Sequence, residues 1–294
     1  TDRLMGGKTM NAIEINELTK KYKGFTLDKI SFTLPQGCVL GLIGENGAGK
    51  STIIKTMLGI THSDRGSIKV LGTEMNGNAN QGTVKNDIGV VLDDVGFPSM
   101  MRLPQIGKVL ANSYNDWDGR LFEDYLKRFD LPKNKAFGDF SKGMKIRAGL
   151  AAALSHNAKL LILDEPTSGL DPLVRDELID LLGDYTRDES HSILISSHIV
   201  SDLEKLCDYI AFLHKGKLML CEEKDTLLER YGLLHTSPEK LAELDQSAIM
   251  GSKITNYGAE AIVDRQLVPS NFELSQIGIE DLFIFMAKER KEAQ

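Results

Sequence analysis

The run Gly44–Thr52, Gly-Glu-Asn-Gly-Ala-Gly-Lys-Ser-Thr, carries residue types and spacing suited to holding phosphate. Gly44, Gly47 and Gly49 lack the Cβ that would keep backbone N–H groups from turning inward around phosphate oxygens. Glu45, Asn46 and Ala48 fill the turn between them, and Lys50 can reach the β- and γ-phosphates. The Ser51 hydroxyl can ligate Mg²⁺, and Thr52 ends the run. This pattern works only between a strand and a helix. Cys38–Ile43 is apolar and strand-like, and Ser51–Leu58 reads as a helix whose N-terminus adds partial positive charge. The spacing predicts a nucleoside triphosphate site.

Two carboxylates and a histidine stand at the ends of further apolar runs. Leu160–Leu163 reads as a buried strand that ends in Asp164 and Glu165. Asp164 at a strand's carboxyl end can hold Mg²⁺ through water, and Glu165 can take a proton from an attacking water. The alternative is that both acids only solvate the strand end. Ser192–Ser196 reads as another strand, and it leads to His198.

The elements that must position these groups alternate. Ala12–Leu18, Ile30–Leu34, Gly66–Leu71 and Ile88–Leu92 read as strands, with a Gly/Asn-rich loop over Gly72–Gly82. From about Leu103 to His156 the pattern is helical. There Leu121, Phe122, Tyr125, Leu126 and Phe129 fall on one helix face, and Ile146–Leu154 is an alanine-rich buried helix. Val174–Tyr185 reads as a helix between two of the strands. Strand–helix alternation predicts an α/β fold with a largely parallel core. Beyond Gly216 the reading is a small C-terminal accessory region with helical pieces at Pro238–Asp245 and Ile279–Lys288.

A chain of 294 residues can bury about three quarters of its unfolded surface, enough for one large domain or a large and a small one. The net charge of −7 argues against extensive nucleic-acid wrapping, and no nucleic-acid partner is expected. Cys38, Cys207 and Cys221 lack C-x-x-C spacing, which fits a reduced, cytosolic setting without a zinc site. No apolar stretch is long enough to span a bilayer, so a membrane role would come through a partner. Residues 1–9 read as a remnant of cloning, with the natural chain starting at Met10.

Together the phosphate loop, Phe140–Met144 (FSKGM), Leu163–Asp171 (LDEPTSGLD) and His198 resemble the ATPase subunit of an ABC (ATP-binding cassette) transporter, over about Ile13–Leu220. The resemblance implies a P-loop NTPase core with an antiparallel β subdomain and a helical subdomain at about 103–156. The ATPase domain is expected over 10–220 and the C-terminal accessory region over 221–294. It also implies ATP and Mg²⁺ as ligands, Tyr22 stacking on adenine, and Ser141 and Gly143 touching the γ-phosphate held by an opposing subunit. Asp171 would cross the dimer interface, and His198 would touch the γ-phosphate. Implied partners are an integral-membrane permease and a second ATPase subunit, identical or paralogous, at the cytoplasmic face of the cell membrane.

Two positions depart from the family pattern. Lys142 stands where the family signature has a glycine, and it either adds charge near the phosphate or points outward. Asp93 stands where the family has a glutamine that meets Mg²⁺ and the permease. A carboxylate is shorter and donates no hydrogen bond when ionised, yet it is a Mg²⁺ ligand type, which makes Asp93 a third candidate beside Ser51 and Asp164. Tyr114–Asp118, Leu126–Pro132 and Phe140–Arg147 resemble a bacterial subgroup that pairs with ABC-2-type permeases and exports peptides, antibiotics or related compounds. The alternative is an ATP-dependent regulator of the same family that transports nothing.

Overall fold

The computed structural model describes residues 10–75, 81–255 and 258–292. The first nine residues, read above as a cloning remnant, lie outside the described residues, as does part of the Gly72–Gly82 loop. Ten α-helices, two short 3-10 helices and three sheets are present among the described residues.

The central sheet is built from β3 (Val39–Ile43), β6 (Ile88–Val91), β7 (Leu160–Asp164), β8 (Ser192–Ser197), β9 (Tyr209–His214) and β10 (Lys217–Glu223). Their order is β10-β9-β3-β8-β7-β6, parallel except for the antiparallel edge strand β10. Helices cover one face, and an antiparallel sheet with one helix covers the other, so side chains pointing either way are buried, and β3, β7 and β8 are buried throughout. That is why these strands read as continuous apolar runs rather than alternating ones. Leu40, Leu42, Leu160 and Ile162 point into one core, and Val39, Ile43, Leu161 and Leu163 into the other.

An antiparallel sheet, β2 (Phe25–Pro35), β1 (Asn11–Tyr22), β4 (Arg65–Val70) and β5 (Thr73–Glu74) in that order, caps the first core. Helix α1 (Lys50–Met57) is held there by Ile53, Ile54 and Met57. The turn at Gly216 joins this sheet to the phosphate loop. Its N–H donates to Ala48 O at 3.0 Å, and its carbonyl accepts from Asp28 N–H at 2.8 Å. Gly216 has φ +77°, and a Cβ there would lie 1.9 Å from Thr26 O. Gly216→Ala therefore combines left-handed strain with a backbone clash, an expected loss of about 3 kcal/mol. Urea unfolding checks it, and an unchanged midpoint would show the junction to be dispensable.

After α2 (Gln81–Lys85) and β6, the helical subdomain comprises α3 (Leu103–Ala111), α4 (Gly119–Arg128) and α5 (Lys142–Ala153). Leu103, Ile106, Phe122, Leu126 and Phe140 fill its own core together with Ala148, Ala151 and Ala152. On its other side α5 sends Ile146, Leu150 and Ala153 into the main core. The small alanines let one helix lie between two cores, which accounts for the apolar, alanine-rich reading of this segment. One face residue differs from expectation: Leu121 is 38% exposed. It lies in the first turn, at the margin of the apolar stripe centred on Phe122, Leu126 and Phe129.

Helix α6 (Pro172–Tyr185) and α7 (Val200–Leu206) complete the other face of the sheet. Beyond β10, which ends three residues past Leu220 at Glu223, come α8 (Lys224–Arg230) and α9 (Pro238–Ala242). A third sheet follows, ordered β12 (Ile249–Thr255), β13 (Gly258–Asp264), β11 (Tyr231–Thr236) and β14 (Leu274–Ser275), all antiparallel. The helical pieces expected near Pro238 and Ile279 are present, but this sheet is an addition to the sequence reading. Its strands interleave Gly, Ser, Lys and Glu with short apolar groups, so no apolar run marks them. Helix α10 (Ile279–Glu292) fastens the region to the ATPase core through Leu282, Phe285 and Met286. Glu204 Oε1 of α7 accepts the Ile279 N–H at 3.2 Å.

Candidate nucleotide site

Three neighbouring parallel strands, β3, β8 and β7, end on one side of the sheet, and the chemistry-bearing residues follow those ends. The loop after β3 carries φ of +80° at Gly47 and +112° at Gly49, conformations that L side chains rarely adopt. A Cβ at Gly49 would also lie 2.9 Å from the Phe25 ring. The loop and the start of α1 enclose a cleft of about 380 Å³ lined by residues 45–52, Phe25 and Glu165. Gly44 is buried and does not line the cleft.

Lys50 is only 6% exposed. Its Nζ donates to Gly44 O at 2.6 Å and lies 3.1 Å from Glu165 Oε1. The other carboxylate oxygen, Glu165 Oε2, is 2.6 Å from His198 Nδ1 and accepts the His198 N–H at 3.3 Å. Glu165 thus joins the phosphate-loop lysine to the histidine after β8, three residues far apart in sequence. Its backbone is left-handed, φ +52°, an uncommon conformation for a non-glycine residue. The turn is held by Glu165 N–H donating to Ser196 O at 3.1 Å. Strain of this kind persists only where the surroundings impose it, and it is common at catalytic positions.

Asp164 is buried, and its Oδ1 accepts from Ser196 Oγ at 2.5 Å. Ser51 stands one residue into α1, facing the cleft with Thr52. No cluster of three or more His, Cys, Asp or Glu capable of holding a metal occurs among the described residues. Mg²⁺ at nucleotide sites takes few protein oxygens beside the substrate's phosphates and keeps several waters. A hydroxyl at Ser51 and a carboxylate at Asp164 are the hard oxygen donors such an ion takes.

The remaining predicted residues lie elsewhere. Tyr22 ends β1 with 46% exposure, its ring 5.6 Å from the Lys20 ammonium, and it does not line the cleft. The aromatic that does is Phe25, paired with Tyr22 across the Lys23-Gly24 turn. The tight turn between two aromatics was the signal that could have drawn attention to it. Ser141 caps α5, its Oγ accepting the Met144 N–H at 3.3 Å, and Gly143 follows in the first turn. Both are outside the cleft of their own chain. Asp171 caps α6 by accepting the Val174 N–H, beside a Leu173 that is 70% exposed. Asp93 follows β6 with an exposed side chain, 2.6 Å from Lys142 Nζ and away from the cleft lining.

With this geometry in place, the comparisons with known proteins are decisive. The bacitracin transport ATP-binding protein BcrA of Enterococcus faecalis is 35% identical over 238 residues, 80% of this chain and 74% of the relative. The chain belongs to the ATP-binding subunits of ABC transporters. The ABC transporter family profile matches residues 27–168, the stretch from β2 through Glu165. An ABC transporter ATP-binding protein of Bacillus subtilis, YhcH, is 32% identical over 305 aligned positions, covering 95% of this chain and 97% of its own. That match takes in the C-terminal sheet as well as the ATPase core. A solved ATP-binding subunit of an ABC transporter superposes with a TM-score of 0.66 at 27% identity, over 74% of this chain and 92% of the other. The cassette is an ATPase with the P-loop core, antiparallel β subdomain and helical subdomain of its family. No helix among its described residues is long and apolar enough to cross a membrane.

Proposed function

We propose that this ABC ATPase drives an export-type transporter by clamping two nucleotides between two copies of the chain. The observation that carries the reading is the junction of Lys50, Glu165 and His198 at the mouth of the phosphate loop. The loop backbone and Lys50 bind the phosphates; Ser51 and Asp164 would hold Mg²⁺, which would supply charge neutralisation at the transferring group. Glu165 takes the proton of the attacking water as its oxygen bonds to the γ-phosphorus and the bond to the β-phosphate oxygen breaks. His198, hydrogen-bonded to Glu165, orients that carboxylate and meets the γ-phosphate.

Ser141 and Gly143 lie outside their own chain's cleft, which supports a role on the nucleotide of the opposing copy. Exposed Asp171 and Leu173 supply a surface on which that copy can seat. Tyr22 and Phe25 flank the place expected for the base. ATP closes the sandwich because it binds the closed form more tightly, and hydrolysis reopens it. The ATPase domain is assigned to residues 10–220 and the accessory region to 221–294. The C-terminal region is tied to α7, which follows His198, and this contact supports a role in sensing closure.

The subgroup resemblance, together with the bacitracin-transport relative, supports peptides, antibiotics or related compounds as cargo. The permease is an integral-membrane protein, and the cassette works at the cytoplasmic face. Affinity purification of the chain from detergent-solubilised host membranes tests this. A membrane subunit is expected in whole-number stoichiometry, with ATP turnover of the assembly above that of the chain alone. A chain recovered without a membrane partner, with unchanged turnover, would favour the regulator.

A further inference from the structure

Two departures from the family pattern, Asp93 and Lys142, are distant in sequence but touch in space, with Lys142 Nζ 2.6 Å from Asp93 Oδ1. Asp93 belongs to the segment leaving β6, at the carboxyl end of the central sheet. Lys142 is the first residue of α5, directly after its cap Ser141. Its stem passes Gly169, with Cδ 3.8 Å from where a Cβ on that glycine would lie. Next to it, a Cβ on Gly143 would meet the Leu170 side chain at 3.0 Å. Lys142 therefore spans three segments: the loop after β6, the first turn of α5, and the turn that follows Glu165.

A cation in the first turn of a helix is disfavoured by the helix dipole, and an unpaired lysine there would turn to solvent. The Asp93 carboxylate offsets that charge and draws the ammonium back across Gly169 toward the core. We infer that Asp93 and Lys142 are one compensated positioning pair that sets the Ser141–Gly143 turn against the ATPase core, and that Asp93 serves there instead of ligating the metal. The inference rests on the composite-site reading above. With side chains 57% and 48% exposed, the pair contributes little to folding stability, so its loss registers in turnover.

The test is a double-mutant cycle with a charge exchange: Asp93→Asn, Lys142→Met, both together, and Asp93→Lys with Lys142→Asp. ATP hydrolysis is followed against ATP and Mg²⁺ concentration. Each single variant is expected to lower kcat about fivefold, with KM and the half-saturating Mg²⁺ within about twofold of wild type. The double variant should lose no more than the larger single loss, and the exchange should recover at least about half of the wild-type rate. A raised Mg²⁺ requirement in Asp93→Asn alone would make Asp93 a metal ligand and overturn the pair. So would single losses that multiply in the double variant, or an exchange as slow as the singles. Failure of the nucleotide-site reading shows separately, as absent ATP binding by the wild-type chain in calorimetry.

Discussion

Glu165→Gln is expected to lower ATP turnover by about 10²–10⁴-fold, the range a positioned general base supplies. The amide keeps the shape of the side chain and its reach to Lys50 and His198, but it cannot accept the proton of the attacking water. ATP affinity should be kept or improved. The carboxylate lies 3.1 Å from Lys50 Nζ, where it competes with phosphate for the same cation. Removing its charge removes both that competition and a repulsion toward the incoming phosphates. Steady-state hydrolysis and calorimetric ATP titration on the purified variant check the two halves. Turnover within about threefold of wild type would remove Glu165 from the base role.

Lys50→Ala should raise the Kd for ATP by about 10–100-fold. A hydrogen bond to a charged group is worth about 1.5–3 kcal/mol, and each 1.4 kcal/mol is about tenfold in affinity. The effect is expected at the upper end because Lys50 is 6% exposed and fixed by Gly44 O at 2.6 Å, so its charge is poorly screened. The variant also leaves Glu165, 14% exposed, without its ammonium partner and facing the phosphates. Calorimetry with ATP reads the change, and an unaltered Kd would remove the lysine from the phosphate site.

The parts of the site legible in the sequence were those where local chain geometry itself makes the function. Gly44–Thr52 must be a strand-to-helix turn, and Leu160–Glu165 must be a buried strand ending in acids, so both could be placed by pattern alone. That these ends meet depends on the order β3-β8-β7, which strand–helix alternation implies but does not specify. The contact of Glu165 with both Lys50 and His198 was accordingly out of reach of spacing. So was the meeting of Asp93 with Lys142, since each looked like an isolated departure until α5 was docked on the sheet. Phe25 was passed over because the hairpin turn, and not the strand pattern, brings it to the cleft.

Outside the site, legibility followed burial. Of the strands covered on both faces, β3, β7 and β8 read as apolar runs to within a residue or two of their ends, whereas the equally buried β9 has no counterpart in the sequence reading. The C-terminal sheet was missed because β12 has Gly251, Ser252 and Lys253 in succession and β13 opens on Gly258, Ala259 and Glu260. β13 is fixed by pairing with β11, and β12 by pairing with β13 and by the packing of α10, which are tertiary facts. The exposure of Leu121 has the same origin, since helical periodicity gives a face but not how much of it a neighbour covers.

ATP-driven pairing of two copies is tested most directly by the molar mass of Glu165→Gln, by light scattering on a sizing column, without and with Mg-ATP. A shift from the 32.5 kDa of one chain to twice that value is expected when Mg-ATP is present, and none when it is absent. A mass that stays at one chain, in a sample that calorimetry shows to be saturated with ATP, would contradict the claim that two copies close on the nucleotide.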